Sequence, residues 1–70
     1  MVDERLLNGE MAKAGLSGKE LAKKIGITSK TFYTKKKKGV FGSDEIMVII
    51  KECGIKDPLP IFFPEFNPKP

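Results

Sequence analysis

Apolar residues recur along this chain at helical intervals, and a glycine interrupts the pattern at each break. Leu7, Met11 and Ala14 fall at i, i+4 and i+7, with Val2 and Leu6 widening the stripe; that spacing puts them on one face of a helix. Asp3 stands where an N-cap is wanted and Gly15 where a left-handed C-cap is wanted, which predicts a first helix over about Glu4 to Ala14. Ser17 and Glu20 form a Ser-x-x-Glu capping box. It opens a short second helix over about Gly18 to Ile25, with Leu21, Ala22 and Ile25 inward and Gly26 as its stop. Thr28 or Ser29 caps a third helix running to about Lys37, with Phe32 as its main inward anchor. Gly39 and Gly42 flank a loop expected to drop Phe41 into the core. Ser43 is the expected cap of a fourth helix through Cys53, because Ile46, Ile49, Ile50 and Cys53 make a buried stripe that Gly54 ends.

The last stretch, "IKDPLPIFFPEFNPKP", holds all five prolines. Asp57 as N-cap with Pro58 at the first helical position predicts one helical turn that finishes before Pro64. Leu59, Ile61, Phe62, Phe63 and Phe66 are too many apolar side chains for a free tail. Ile61, Phe62 and Phe63 are expected to cover the first and fourth helices. Phe66 is open between the core and a dimer contact, since exposed apolar patches mark interfaces. The expected fold class is all-α: a small four- to five-helix bundle over residues 1–63, with a Pro-rich C-terminal tail over 64–70.

Within that bundle, Ala22, Gly26 and Phe32 have a particular order. A helix ends at Gly26 and another begins two or three residues later. Ala22 is small enough for the third helix to pass close over it, Gly26 supplies a positive φ, and Ile27 and Phe32 fill the angle. This is the spacing of a helix-turn-helix, with the motif over about residues 17–37. It leaves the outer face of the third helix free to enter a major groove.

Composition narrows the function. Seventy residues make one small domain with a thin core. The single cysteine, Cys53, cannot form an internal disulfide, and with no histidine there is no Cys/His metal cluster. No Gly-rich phosphate loop and no nucleophile beside a base stands in the chain, so the expectation is no enzyme, no cofactor, no metal and no small-molecule substrate. No apolar run reaches membrane-spanning length, and early acids at the N-terminus argue against a signal peptide. A reduced, cytoplasmic setting is expected.

The net charge of +4 is unevenly placed. Residues 1–20 carry three basic and four acidic side chains, and residues 44–70 carry three and five. The segment from Leu21 to Ser43 carries seven lysines and no acid. Such a concentration is either a solvated lysine-rich face or a surface for a polyanion, above all nucleic acid.

The segment "GLSGKELAKKIGITSKTFYTKKKKG" resembles the helix-turn-helix of the phage Cro and lambda-repressor-type family of small transcription regulators. The wider pattern runs from about Leu6 to Phe63 and takes in Phe41 and "SDEIMVII". In two places the chain departs from the family. Members often carry Gln at the start of the second helix, where it contacts a phosphate and braces the recognition helix; here that place is Gly18. A second apolar anchor usually follows the first by a turn; here Lys35 and Lys36 hold those places, which predicts a loosely packed end to the third helix.

The resemblance implies a sequence-specific double-stranded DNA-binding regulator of the phage-repressor type. Ser29, Lys30, Tyr33 and Thr34 would reach base edges, with Lys30 suited to guanine O6 and N7. For Tyr33 the alternative is packing beside Phe32 at the core rim. Ser17, Lys19, Thr28, Lys35, Lys36, Lys37 and Lys38 are the phosphate-binding candidates. Ser17 has capping as its alternative role, and about two of the four consecutive lysines are expected to touch DNA because neighbours on a helix end diverge. A homodimer on a two-fold operator is the expected assembly. Two other classes remain: a protein-interaction module such as an anti-repressor or antitoxin on the same fold, and a nonspecific nucleic-acid binder using the lysine run alone.

Overall fold

The fold follows from where each helix is capped. In the computed structural model, which describes residues 1–66, α1 spans Glu4–Ala14, α2 Gly18–Ile25, α3 Ser29–Lys38, α4 Ser43–Cys53 and α5 Leu59–Phe62, with a 3-10 turn over Pro64–Phe66. The class is all-α. Asp3 Oδ1 accepts from the amides of Arg5 and Leu6, at 3.1 and 3.2 Å, which starts α1. The capping box at α2 is complete: Glu20 N donates to Ser17 Oγ at 3.1 Å and Ser17 N donates to Glu20 Oε1 at 2.9 Å. Thr28, not Ser29, caps α3, its hydroxyl accepting from Thr31 N at 3.1 Å.

The turn between α2 and α3 depends on Gly26. Its φ of 95° lies in the left-handed region, where a Cβ is strained. That conformation lets the amides of Gly26 and Ile27 both bond the carbonyl of Ala22, at 2.9 and 3.0 Å, so the chain reverses within three residues. Helix α2 packs on α3 and α4, and α1 packs on α4 and α5. Phe32, Leu21, Leu7, Ile49 and Phe62 are the largest fully buried side chains at the centre. Phe41 enters beside Phe32, with ring centroids 5.6 Å apart. Two backbone bonds hold the start of the chain: Val2 N donates to the Gly39 carbonyl at 2.8 Å and Asp3 N to the Ile61 carbonyl at 2.7 Å; the N-terminal ammonium also pairs with Glu65.

Several expectations from the sequence are corrected. Leu6 is exposed, because successive residues turn about 100° round a helix and Leu7 already takes the covered face. Ala14 is exposed too, lining an open surface groove with Cys53 and Gly54. Gly42, not Ser43, is the cap residue of α4. Glu45 reaches back to accept from Gly42 N at 2.7 Å, which makes residue 42 the last one outside the helix. Pro58, not Asp57, is the cap residue of α5. Phe62 is buried as expected, but Phe63 is 40% exposed, because the chain leaves helical geometry there and turns its ring toward Phe66. Phe66 is exposed. Of the expected Pro-rich tail, residues 67–70 lie outside the described residues.

Candidate nucleic-acid interface

Helix α3 carries no acid and ends in four consecutive lysines. Helical spacing sorts its outer residues into two rows. Lys30, Thr34 and Lys38 form one row, lining a shallow surface groove with Val40 from the following loop. Lys30 is exposed. Thr34 is exposed as well, with its hydroxyl donating to the Lys30 carbonyl at 2.9 Å, a local bond that fixes its rotamer. Ser29 and Tyr33 form the other row, with Tyr33 lying against the start of α2. Ser29 is half-buried, and Tyr33 is 47% exposed. The Tyr33 ring meets Phe32 edge-on, with centroids 5.7 Å apart and planes at 77°. Part of the ring packs at the core rim, as the alternative reading expects, while the rest faces solvent.

The Tyr33 ring also covers the start of α2. A Cβ added at Gly18 would stand 2.5 Å from Tyr33 Cζ and from its hydroxyl oxygen. The bareness of Gly18 and the bulk of Tyr33 are complementary.

The lysine run does not act as a block. Lys35 Nζ donates to both carboxylate oxygens of Glu45, at 2.9 and 2.8 Å. That contact, with the Gly42 amide behind it, holds the Glu45 carboxyl below the usual glutamate range. Lys36 is buried, donating to Asn8 Oδ1 at 2.7 Å and lying over the rings of Tyr33 and Phe32. Both placements depart from the expectation that Lys35 and Lys36 face phosphates. They also overturn the expected loose end of α3: the two lysines occupy the place of a second anchor, each tied to another helix, and α3 runs on to Lys38. Lys37 and Lys38 remain exposed.

Elsewhere in the basic segment, Lys24 pairs with Glu52 at 3.5 Å. Of the seven lysines between residues 21 and 43, three are thus engaged inside the protein, and Lys23, Lys30, Lys37 and Lys38 keep their charge for solvent among the described residues. Lys19 adds one more exposed cation beside α3, on the first turn of α2. Ser17 and Thr28 are exposed with their hydroxyl oxygens occupied by capping bonds, which leaves each hydroxyl proton a choice of acceptor; Thr28 currently gives its proton to Thr31 Oγ1 at 2.9 Å. The capping amide and hydroxyl of Ser17 hold Glu20 below the ordinary carboxylate range, so its negative charge is spent on the cap.

Reasoning from sequence found the exposed residues of α3 but missed three others. Asn8 and Glu45 pull two lysines out of the surface, and Val40 stands 64% exposed at the edge of the α3 groove. Only Glu45 carried a local signal, its place three residues after Gly42, as in a half capping box. Among the described residues no cluster of His, Cys, Asp and Glu has the geometry to hold a metal ion, and no helix is long and apolar enough to cross a membrane.

No curated protein matches the chain, and no solved structure does. A family model does match: the bacteriophage CI repressor helix-turn-helix domain, over residues 9–56. That span covers α2, the Gly26 turn, α3, the Phe41 loop and α4, the elements that build the basic surface. With more than half its length matched, this chain belongs to the bacteriophage CI repressor helix-turn-helix domain family, a family of DNA-binding repressor domains and not of enzymes.

Proposed function

We propose that this protein is a sequence-specific repressor that reads operator DNA with the outer face of α3. The observation that carries the reading is the character of that face. Lys30, Tyr33 and Thr34 are exposed on a helix without acids, and Lys19, Lys37 and Lys38 flank them with exposed charge. An α-helix of this kind fits a major groove about 12 Å wide. Ser29, Lys30, Tyr33 and Thr34 are the proposed base readers. Lys30 is matched to the paired acceptors of guanine, and the hydroxyls and the Tyr33 ring to acceptors or a thymine methyl. Ser17, Lys19, Thr28, Lys37 and Lys38 are the proposed phosphate contacts, which set register without reading sequence.

Repression then follows by occlusion: a domain seated in the groove excludes polymerase from an overlapping promoter. One reading helix covers only about 4 to 6 base pairs, so two copies on a two-fold operator, with half-sites about 34 Å apart, supply the needed affinity. Selection of bound duplexes from a random pool tests the proposal. A recovered consensus with two-fold symmetry, preferred roughly 10³-fold or more over random duplex, is the expected result. Binding without preference that vanishes with added salt would make the protein a nonspecific nucleic-acid binder. Negligible binding even at low salt would make it a protein-interaction module on this fold.

A further inference from the structure

Lys36 is a buried charge for which DNA binding has no direct use. It is 8% exposed. Its ammonium donates to the neutral Asn8 amide oxygen at 2.7 Å, and none of the ion pairs among the described residues includes it. Burying an ammonium without an acid is costly. Here the compensation comes from two aromatic faces: Nζ lies 5.2 Å from the Tyr33 centroid and 6.0 Å from that of Phe32. Both distances are within cation–π range. The carbonyl end of α3 adds further favourable potential, because Lys36 sits in its last turn.

Lys36 is therefore one of three contacts on the Tyr33 ring. It stands over the ring, the Phe32 ring meets it edge to face, and the bare backbone of Gly18 lies beneath its hydroxyl end. Asn8 in turn ties the ammonium to α1, so the grip on Tyr33 draws on the whole bundle. We propose that Lys36 is a positioning residue for recognition: it does not touch DNA, but fixes the Tyr33 ring across the α3–α2 seam, and operator preference depends on it through Tyr33. A ring already held in its bound orientation loses less conformational freedom on binding. The proposal rests on the reading of α3 as the DNA-reading helix.

Two measurements test it, the first without DNA. Tyr33 is the single tyrosine and the chain has no tryptophan, so its ring protons are identified directly by NMR. A cross-relaxation contact between the Tyr33 ring and the Gly18 α-protons is expected in the natural chain. It is expected to disappear in Lys36→Met and in Lys36→Gln, both of which are expected to keep a folded bundle, as circular dichroism checks; persistence of the contact in a folded variant overturns the proposal. The second measurement uses the duplex recovered by selection. Lys36→Met is expected to lower the operator-over-random ratio about tenfold while leaving the salt slope unchanged, and adding it to Tyr33→Ala is expected to bring no further loss. A salt slope shallower by about one unit would make Lys36 a phosphate contact, and independent, multiplying losses would separate it from Tyr33; either result overturns the proposal. If the natural chain selects no duplex at all, the DNA reading fails, and the ring-to-Gly18 contact still decides whether Lys36 positions Tyr33.

Discussion

Lys35 and Glu45 clasp the end of α3 to the start of α4: the lysine Nζ lies 2.8 and 2.9 Å from the two carboxylate oxygens. The same carboxylate accepts from the Gly42 amide at 2.7 Å, so one acidic side chain both caps α4 and neutralises a lysine of the basic run. The loop carrying Val40 and Phe41 is thereby held between two fixed ends.

This clasp sets a pH dependence. The folded-state pKa of Glu45 is lowered, first by Lys35 and then by the Gly42 amide. A carboxyl with a depressed folded pKa contributes stability that is complete above its unfolded pKa and is lost as pH falls through the folded one. Thermal melts of the natural chain and of Glu45→Gln are therefore expected to differ at pH 7, by about 1 kcal/mol given the partial solvent exposure of the pair. The two curves should converge as pH drops below the ordinary glutamate range. A gap that stays constant down to strongly acid pH would exclude the clasp.

Gly18→Ala separates stability from recognition. Alanine is the better helix former, though at residue 18, the first position of α2, by less than the roughly 1 kcal/mol of a helix interior, and the atoms that its Cβ would meet belong to the far end of a single side chain. Tyr33 must swing away, and the bundle need not move. The melting temperature is expected to change little, because the helix gain is offset by the aromatic face that Lys36 loses, while operator preference falls. Calorimetry and competition binding on the same sample check both halves, and an unfolded variant would show that Tyr33 cannot yield.

Ala22 is 1% exposed in α2, whose neighbours are α3 and α4. Ala22→Leu overfills that space and is expected to cost about 1 to 3 kcal/mol. Denaturant unfolding measures it directly; an unchanged midpoint would mean that the α2 surface around residue 22 has room the packing does not indicate.

Lys30 and Lys38 share a row on α3, yet different effects are expected from removing them. Lys30→Ala should cost about 1 to 3 kcal/mol and relax preference at one base pair. Lys38→Ala should weaken binding evenly across sequences and reduce the salt slope by about one unit. Binding of both variants to a panel of single-base operator changes distinguishes the two roles. An even loss from Lys30→Ala would reassign it to phosphate.

What the chain order determined by itself was local. Asp3, the Ser17–Glu20 box and the glycines at 15, 26 and 54 marked helix ends to within a residue, because a cap acts on amides two or three positions away. The helical period of the apolar residues chose Leu7, Leu21, Phe32 and Ile49 for the core, and the Ala22–Gly26–Phe32 spacing identified the motif. What only the tertiary structure decided was the fate of groups whose partners lie far along the chain. Lys36 meets Asn8 from 28 residues away and Lys35 meets Glu45 from 10 away, so four neighbouring lysines of identical chemistry divide into two that brace the bundle and two that face solvent. Tyr33 likewise owes its place over Gly18 to a helix pairing. Charge and exposure at a single position depend on which elements arrive beside it, and that is a property of the packed bundle.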